Sequence, residues 1–359
     1  MRLLLLLLFA MSAAWTAQGG DDWRPPAPIA GKDAGFDWIE LRSGEWLKGR
    51  IKSMQDEKLE FDSEELDVHE FKWKDIRTVR SPRLLSVRLG ERNLVNGSLL
   101  VASNTVHVIT PSGEKTWPRA ELLAITPTGD RELDKWSADI SAGVSFRSGN
   151  THEAEYNVQA IVQRRTPLTR LTLGYTGNYG RIDGVETENN HRGLAQFDVF
   201  LSNRLFVRVP DIDYYHDPLQ NLEYRLTAGA AVGYDIIKTA RTEWDVTIGP
   251  AYQKNQYVSV EPGTENGPDS LAAVLSSRFD VELTKRIDLI LEYRGQFTTP
   301  NQGSNMHHGS ATLEFEIHKK LTLDMSFVWD RVAKPETGAD GITPKQDDFR
   351  FTTSLGIHF

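Results

Sequence analysis

The chain has 359 residues, 41 Lys and Arg against 50 Asp and Glu, and a formal net charge of -9. This acidic balance argues against nucleic acid as a partner, because phosphate backbones attract basic surfaces. The sequence contains no Cys, which excludes disulfides, thiolate metal sites and a lipoprotein attachment thiol. A mean hydropathy of -0.42 is typical of soluble proteins, but a transmembrane β-barrel has similar values because only alternate residues of its strands meet lipid.

The first residues carry a targeting pattern. Arg2 precedes an apolar run that ends in small residues, which predicts a secretory signal peptide over residues 1–19. The run is too short for a comfortable transmembrane helix. Residues 20–35 are rich in Pro and Gly and are interpreted as a linker.

Residues 36–129 alternate short strands with tight turns. Two halves repeat the same outline over about 45 residues, with Trp73 and Trp117 at matching places. The texture resembles SH3-like or Sm-like small barrels. We expect a periplasmic small-barrel module, which could close the mouth of the following domain or present a sheet edge to another envelope component. Its mixed surface charge favours docking to a protein partner.

Residues 136–359 show the period-two alternation of strands, in about twelve segments. The last segment, residues 349–359, places apolar residues on one face and polar residues on the other. It is similar to the terminal assembly signal of bacterial outer-membrane barrels, and the residues expected to be read by the barrel-assembly machinery are Phe351, Leu355, Ile357 and Phe359.

The connections between these segments alternate in length. Short basic turns are predicted around residues 164–167, 238–241, 285–286 and 318–320, and long polar loops at residues 183–190, 260–269, 299–307 and 335–348. Short periplasmic turns and long external loops are the rule for outer-membrane barrels. The sequence therefore predicts an all-β protein, with an antiparallel barrel of about twelve strands in the outer membrane of a Gram-negative-type bacterium.

Two segments resemble a known family. Residues 211–234 and the early hairpin at residues 143–151 are similar to outer-membrane proteins described as salt-induced, or YdiY-like. Some members carry an amino-terminal small-barrel extension. The resemblance implies a fold and an outer-membrane address, and it supplies no catalytic residues because the activity of the family is unestablished.

Charged residues recur at positions that face the predicted lumen. They are Arg147, Arg225, Arg278, Arg294, Arg350, Asp280, Glu282, Glu292 and Asp324. They could line a pore or an active site, but charges in a narrow interior must pair, so the favoured interpretation is a salt-bridged, constricted lumen.

No residue pattern predicts an enzyme, a metal site or a cofactor. Asp211, Asp213, His216 and Asp217 could form the acid and His cluster of a barrel protease, and no His-Ser pair resembles that of an outer-membrane phospholipase. We expect a non-enzymatic barrel that acts as a narrow pore, a structural protein or a docking protein. The alternative is an enzyme acting on lipid or surface peptide. Expected partners are outer-membrane lipid, lipopolysaccharide, the assembly machinery and a periplasmic protein.

Overall fold

The computed structural model describes residues 24, 35–63, 66–128, 132–149, 152–263, 265–267, 269–298, 305–318 and 320–358. The predicted signal peptide, nearly all of the predicted linker and Phe359 lie outside this description. No helix in the described part of the chain is long and apolar enough to cross a membrane.

The first nine strands form one antiparallel sheet, called here the N-terminal module. They are β1 Asp37–Leu41, β2 Trp46–Gln55, β3 Lys58–Ser63, β4 Asp67–Lys72, β5 Ile76–Leu89, β6 Asn93–Ala102, β7 Thr105–Thr110, β8 Gly113–Pro118 and β9 Leu122–Pro127. Strand β9 pairs with both β2 and β5, and β1 also pairs with both, so these four strands close a small ring. A short 3-10 helix precedes each of β5 and β9, which gives the two halves the same order of elements.

The core of the module is formed by the alternating apolar residues of these strands. Ile39, Phe61 and Ile125 are among sixteen buried hydrophobic residues in one cluster, and Trp73 and Trp117 pack against its margin. The Arg119 guanidinium lies 4.3 Å from the centre of the Trp73 ring. Both tryptophans therefore close the edge of the core, but Trp73 begins the 3-10 helix before β5, whereas Trp117 lies on β8, two residues before the corresponding helix.

Asp37 is the one charged side chain at 0% exposure among the described residues of the module. Its carboxylate accepts hydrogen bonds from Ile51 N at 2.7 Å, Ser81 Oγ at 2.6 Å and Arg83 Nη1 at 2.9 Å. Because a buried donor without an acceptor loses its hydration free energy, we expect Asp37→Ala to cost the module about 3–5 kcal/mol of unfolding free energy.

The loss is measured as the shift of the module's transition in denaturant unfolding of the full chain. Asp62→Ala on β3 is the matched control, since Asp62 is only half-buried and the change should cost well under 1 kcal/mol by the usual size of surface effects. Equal transitions for the two variants would contradict this account of Asp37.

The remaining strands close into a twelve-stranded antiparallel barrel, as the sequence predicted. They are β10 Trp136–Arg147, β11 Glu153–Arg165, β12 Thr169–Ile182, β13 Val185–Phe200, β14 Leu205–Asp217, β15 Leu222–Lys238, β16 Thr242–Tyr257, β17 Asp269–Thr284, β18 Ile287–Thr298, β19 Met306–His318, β20 Leu321–Val332 and β21 Asp347–His358. The fold class of a small-barrel module followed by a twelve-stranded barrel is confirmed.

Alternation along the strands divides the barrel wall into two faces. On β15, Leu226 and Val232 are exposed on the outside, while Arg225 and Thr227, on either side of Leu226, are buried in the interior. The outer face is therefore an apolar belt suited to lipid, and the inner face is polar.

The two ends of the barrel differ. At one end, called the short-turn end, neighbouring strands are joined by a few residues, such as residues 166–168, 239–241 and 285–286. At the other, called the long-loop end, the connections include residues 258–268 and 333–346. The prediction of a long loop at residues 183–190 is wrong.

There, β12 and β13 meet in a two-residue turn of Asp183 and Gly184, with φ of 49° and 87°. Asp-Gly is a preferred sequence for this tight hairpin turn, because both residues adopt positive φ at low cost. Residues 185–190 consequently belong to β13 and add polar side chains to the barrel wall.

Candidate functional site

The interior of the barrel contains a bridge of paired charges between strands that are not neighbours. Arg294 on β18 contacts two aspartates on β14, with Nη2 3.1 Å from Asp211 Oδ2 and Nε 2.9 Å from Asp213 Oδ2. Arg192 on β13 pairs with Asp213 at 2.7 Å, and Gln296 donates to it at 3.1 Å. We call these five residues the lumen cluster. Because Asp211 and Asp213 are only 3% and 2% exposed, their charges depend on this pairing.

A second bridge crosses the interior elsewhere. Arg350 on β21 forms an ion pair with Glu188 on β13. On the same side of the barrel, Ser354 Oγ donates to Asn157 Oδ1 on β11 at 2.8 Å. Both bridges therefore join strands that are not neighbours in the barrel.

A small apolar cluster lies at the long-loop end. Tyr215, Leu222, Tyr257 and Met306 are buried together from four different strands. Beside them, Asn221 Nδ2 donates to the carbonyl oxygens of Ser259 and Glu336 at 2.8 and 3.1 Å, which ties two long loops to the short β14–β15 connection.

The short-turn end is covered by the N-terminal module. The tight turn between β2 and β3 places Asp56 against two cations of the barrel rim. Arg165 Nη2 lies 2.6 Å from Asp56 Oδ2, and Lys238 Nζ lies 3.1 Å from Asp56 Oδ1. We call these three residues the Asp56 latch. Arg165 ends β11 and Lys238 ends β15, so one carboxylate joins two separate parts of the rim.

Three further contacts spread around the same rim. Lys72 Nζ lies 2.7 Å from Glu282 Oε2 on β17. Arg88 of the module donates to the carbonyl oxygens of Pro167 and Ser202, in two different short turns, at 3.0 and 2.8 Å. The module therefore touches four successive short-turn connections of the rim, from β11–β12 to β17–β18, rather than a single one.

Phe200, at the end of β13, stands at the centre of this interface. The ring is 3% exposed, and the cationic groups of Arg88, Arg165, Arg170 and Lys238 lie 5.4–5.8 Å from its centroid. A ring face attracts cations, and the attraction strengthens when water is excluded. Phe200 thus lies beside Arg165 and Lys238, the two cations that pair with Asp56.

The charge state of Asp56 makes the latch dependent on pH. Burial raises the pKa of Asp56, but Arg165 and Lys238 outweigh this and hold the pKa below the ordinary value of 3.8. The ion pairs of Asp56 therefore stabilise binding of the module to the rim fully at pH values above the ordinary pKa of 3.8. This stabilisation is lost as the pH falls through the lowered pKa of Asp56.

We expect the module to stay seated near neutral pH and to leave the rim in strong acid. Because the chain has no native Cys, two introduced Cys residues can carry spectroscopic labels on the module and the barrel. The distance between labels should rise on acidification, and the change should be reversible. In an Asp56→Asn variant, the acid-induced change should largely disappear; an identical acid response in that variant would exclude Asp56 as its origin.

The family comparison adds to this geometry. Residues 140–359 match the family described as "Protein of unknown function, DUF481". The chain belongs to this family. The matched residues span almost the whole barrel and exclude the N-terminal module. No curated protein matches the sequence.

Several solved structures are similar to the DUF481 chain. The NanC porin is 7% identical, and the match covers 62% of this chain and 98% of the porin with a TM-score of 0.39. The outer-membrane channel DcaP of Acinetobacter baumannii is 10% identical, with 90% and 94% coverage and a TM-score of 0.30. The outer-membrane protease OmpT of Escherichia coli is 10% identical, with 63% and 94% coverage and a TM-score of 0.22. At these values the matches carry no argument about function.

The predicted lumen charges of the DUF481 barrel fall into distinct places. Arg225 is 1% exposed and donates from Nε to Asn255 Oδ1 at 2.7 Å, whereas Arg294 belongs to the lumen cluster. Arg278 pairs with Glu292 and Asp280, and Arg350 pairs with Glu188. Asp324 lies on the inner face beside Gly356.

Two of the predicted lumen charges do not line a central passage. Glu282 contacts Lys72 of the module at the rim. Arg147 lies at the long-loop end with its side chain 69% exposed, 3.8 Å from Glu153. Both residues lie near the end of a strand. Alternation along a strand predicts whether a side chain faces the interior, but it does not predict how far the side chain lies from the end of the barrel.

The predicted assembly residues lie on the outer face. Phe351, Leu355 and Ile357 are exposed along β21, and Phe359 lies outside the described residues. The structure thus places three of the four on the face that would meet lipid.

The sequence interpretation missed the residues that hold the interior together. The sequence groups Asp211 and Asp213 with His216 in the cluster considered for a barrel protease, but the structure places the aspartates inside the DUF481 barrel. His216 points outward, where its ring stacks on His191 and Nδ1 contacts the carbonyl oxygen of Glu223. Alternation along β14 was the signal that separates His216 from these aspartates, because the register shift between Arg208 and Asp211 precedes all three residues.

Proposed function

We propose that this DUF481 chain is a non-enzymatic outer-membrane pore that its own N-terminal module closes. The observation that carries the proposal is the Asp56 latch, in which a turn of the module is seated between Arg165 and Lys238 at the rim. Contacts of Lys72 and Arg88 with other parts of the rim support the same arrangement. A module that is bound to several turns of the rim is suited to close the opening of the barrel.

The lumen cluster would set the width of this pore. Arg294 spans from β18 to β14, so its side chain stands across the space through which a solute would pass. The passage that remains is narrow and lined by both signs of charge, which favours small hydrated solutes over large ones.

The rule that short turns are periplasmic supports an orientation for each end of the barrel. The short-turn end would face the periplasm together with the module, and the long-loop end would face outward, towards lipopolysaccharide. We further propose that Phe351, Leu355, Ile357 and Phe359 serve recognition by the barrel-assembly machinery. The similarity to salt-induced outer-membrane proteins belongs to the same proposal.

The separation of Asp213 from His216 supports the absence of hydrolytic activity. A protease of the kind considered above needs its acidic and His side chains on one face of the wall, whereas Asp213 and His216 lie on opposite faces of β14. His308, which is on the inner face, is paired with Asp330 at 2.6 Å.

Planar-bilayer recording of two proteins tests the proposal. The full-length chain should be nearly silent at neutral pH, and a chain lacking residues 36–127 should show reproducible small unitary currents. Folding of the shortened barrel is checked by its heat-dependent gel mobility. Silence of a folded, inserted shortened barrel would contradict the pore and favour a structural or docking role, and turnover of phospholipid or peptide would contradict the non-enzymatic assignment.

A further inference from the structure

The barrel closes through an incomplete ladder between its first and last strands. Strand β10 pairs with β21 only through residues 139–142 and residues 355–358, which makes four pairs. On their other sides, both strands are paired along nearly their full length, β10 with β11 and β21 with β20. Beyond Ala142 and Leu355, towards the long-loop end, the two strands therefore border a seam in the wall.

Gly143 marks the point where the ladder ends. A Cβ at this position would overlap the carbonyl oxygen of Thr353, so β21 leans across the inner face of β10 there. Past Gly143, residues 144–147 of β10 extend for about 13 Å, at roughly 3.3 Å per residue, with an edge that this ladder does not pair.

An unpaired edge is costly in lipid, because hydrocarbon offers no hydrogen bonds to backbone groups. Edge strands therefore need a cover. At the seam the flanking side chains are apolar and unusually open to the outside. Val144 and Phe146 on β10 are 69% and 77% exposed, and Phe349 and Phe351 on β21 are 66% and 63% exposed.

A cavity of about 240 Å³ opens at this seam. Its wall combines inner-face residues, among them Glu155, Asn178 and Arg350, with the outer-face residues Val144 and Phe351. One space thus has a polar inner part and an apolar exit through the wall. This is the shape and polarity that suit a single-chain amphiphile, with its head inside and its chain outside.

The charge of the cavity selects the head group. Arg350 is neutralised by Glu188, whereas Glu155 makes no hydrogen bond or ion pair with any described residue. The lining therefore keeps one uncompensated carboxylate. A cationic head group would pair with it, and an anionic head group would be repelled.

We propose that the seam between β10 and β21 is a lateral portal that binds a single-chain amphiphile with a cationic head. Glu155 receives the head, Asn157 and Asn178 offer amide groups beside it, and the chain leaves between Val144 and Phe351. This site is separate from the Asp56 latch, which lies at the opposite end of the barrel.

Native mass spectrometry of the full-length protein, released from non-ionic detergent, tests the portal with dodecyltrimethylammonium as the probe. One probe should bind per chain, and Glu155→Gln should weaken binding at least several-fold without changing the fold. Dodecyl sulfate, which has the same chain length, should bind much more weakly. Equal binding of the two probes, or no loss in Glu155→Gln, would overturn the proposal.

A pair of engineered clamps tests the seam itself. A disulfide in Val144→Cys/Thr353→Cys would join the unpaired edges, and a disulfide in Ala142→Cys/Leu355→Cys would join a position that is already paired. The first clamp should abolish probe binding until it is reduced, and the second should leave binding unchanged. Equal binding in both clamped proteins would exclude the seam as the entrance. A dimer that the first clamp disrupts and Glu155→Gln does not would instead assign the seam to pairing between two copies.

Discussion

Replacing Arg294 with Met should lower the stability of the barrel by about 3–5 kcal/mol, the usual effect of removing one partner from a buried ion pair. The substitution leaves Asp211 and Asp213 without their shared cation, and both carboxylates are at least 97% buried, at 3% and 2% exposure. Arg192 can still neutralise Asp213, but no other cation lies within ion-pair distance of Asp211 among the described residues. The loss is measured as the fall in the temperature at which the folded gel band disappears.

The same substitution should widen the interior, because Met does not reach both aspartates. In the chain lacking residues 36–127, Arg294→Met should give larger unitary currents than the unsubstituted barrel. Arg331→Met is the matched control: Arg331 pairs with Asp347 on the outer face, where both side chains are about one-third exposed, at 35% and 33%. That change should cost about 1 kcal/mol or less and leave the current unaltered. Similar effects of the two substitutions would show that the lumen cluster is not the constriction.

Reversing the charge of the latch should release the module. In Asp56→Lys, a third cationic group is placed beside Arg165 and Lys238, so the attraction between the module and the rim at this point is replaced by repulsion. Lys238, whose side chain is 14% exposed, should then react readily with an amine reagent in the folded, membrane-inserted protein. The rate is followed by mass spectrometry of the peptide that contains Lys238.

Glu57→Lys is the matched control for the latch. Glu57 is adjacent to Asp56 in the same turn, but its side chain is exposed and makes no ion pair in the described structure. The substitution changes the net charge by the same amount and should leave Lys238 protected. Lys254, exposed on the outer face, reports the general reactivity of each preparation. Equal protection of Lys238 in Asp56→Lys and in the native protein would show that the Asp56 latch does not hold the module on the rim.

Alternation along single strands, together with the alternating lengths of the connections, was enough to predict the barrel. Residues such as Leu226 and Val232 point outward because a strand alternates its faces, and that rule needs no knowledge of neighbouring strands. The same rule placed Arg225 and Arg294 inside. It could not predict that Arg294 meets Asp211, because that contact depends on the number of strands and on the shear of the closed sheet.

The latch and the seam were hidden from the sequence for different reasons. Asp56 and Glu57 form an ordinary acidic turn, and only the docked arrangement distinguishes one carboxylate from the other. The seam depends on where the pairing of β10 with β21 stops, which no local pattern encodes. By contrast, the Asp183–Gly184 turn carried a local signal, and its composition was sufficient to predict a tight hairpin.

The central claim, that the module closes the barrel, is tested most directly by locking and releasing it in one molecule. In Asp56→Cys/Lys238→Cys, the latch is lost and the two new thiols are the only ones in the chain, since the native sequence has none. A short bifunctional methanethiosulfonate reagent can join them, and dithiothreitol removes it. The account predicts unitary currents from the unjoined variant, silence after crosslinking, and return of the same currents on reduction. Currents of equal size and frequency in the joined and the reduced states would contradict it.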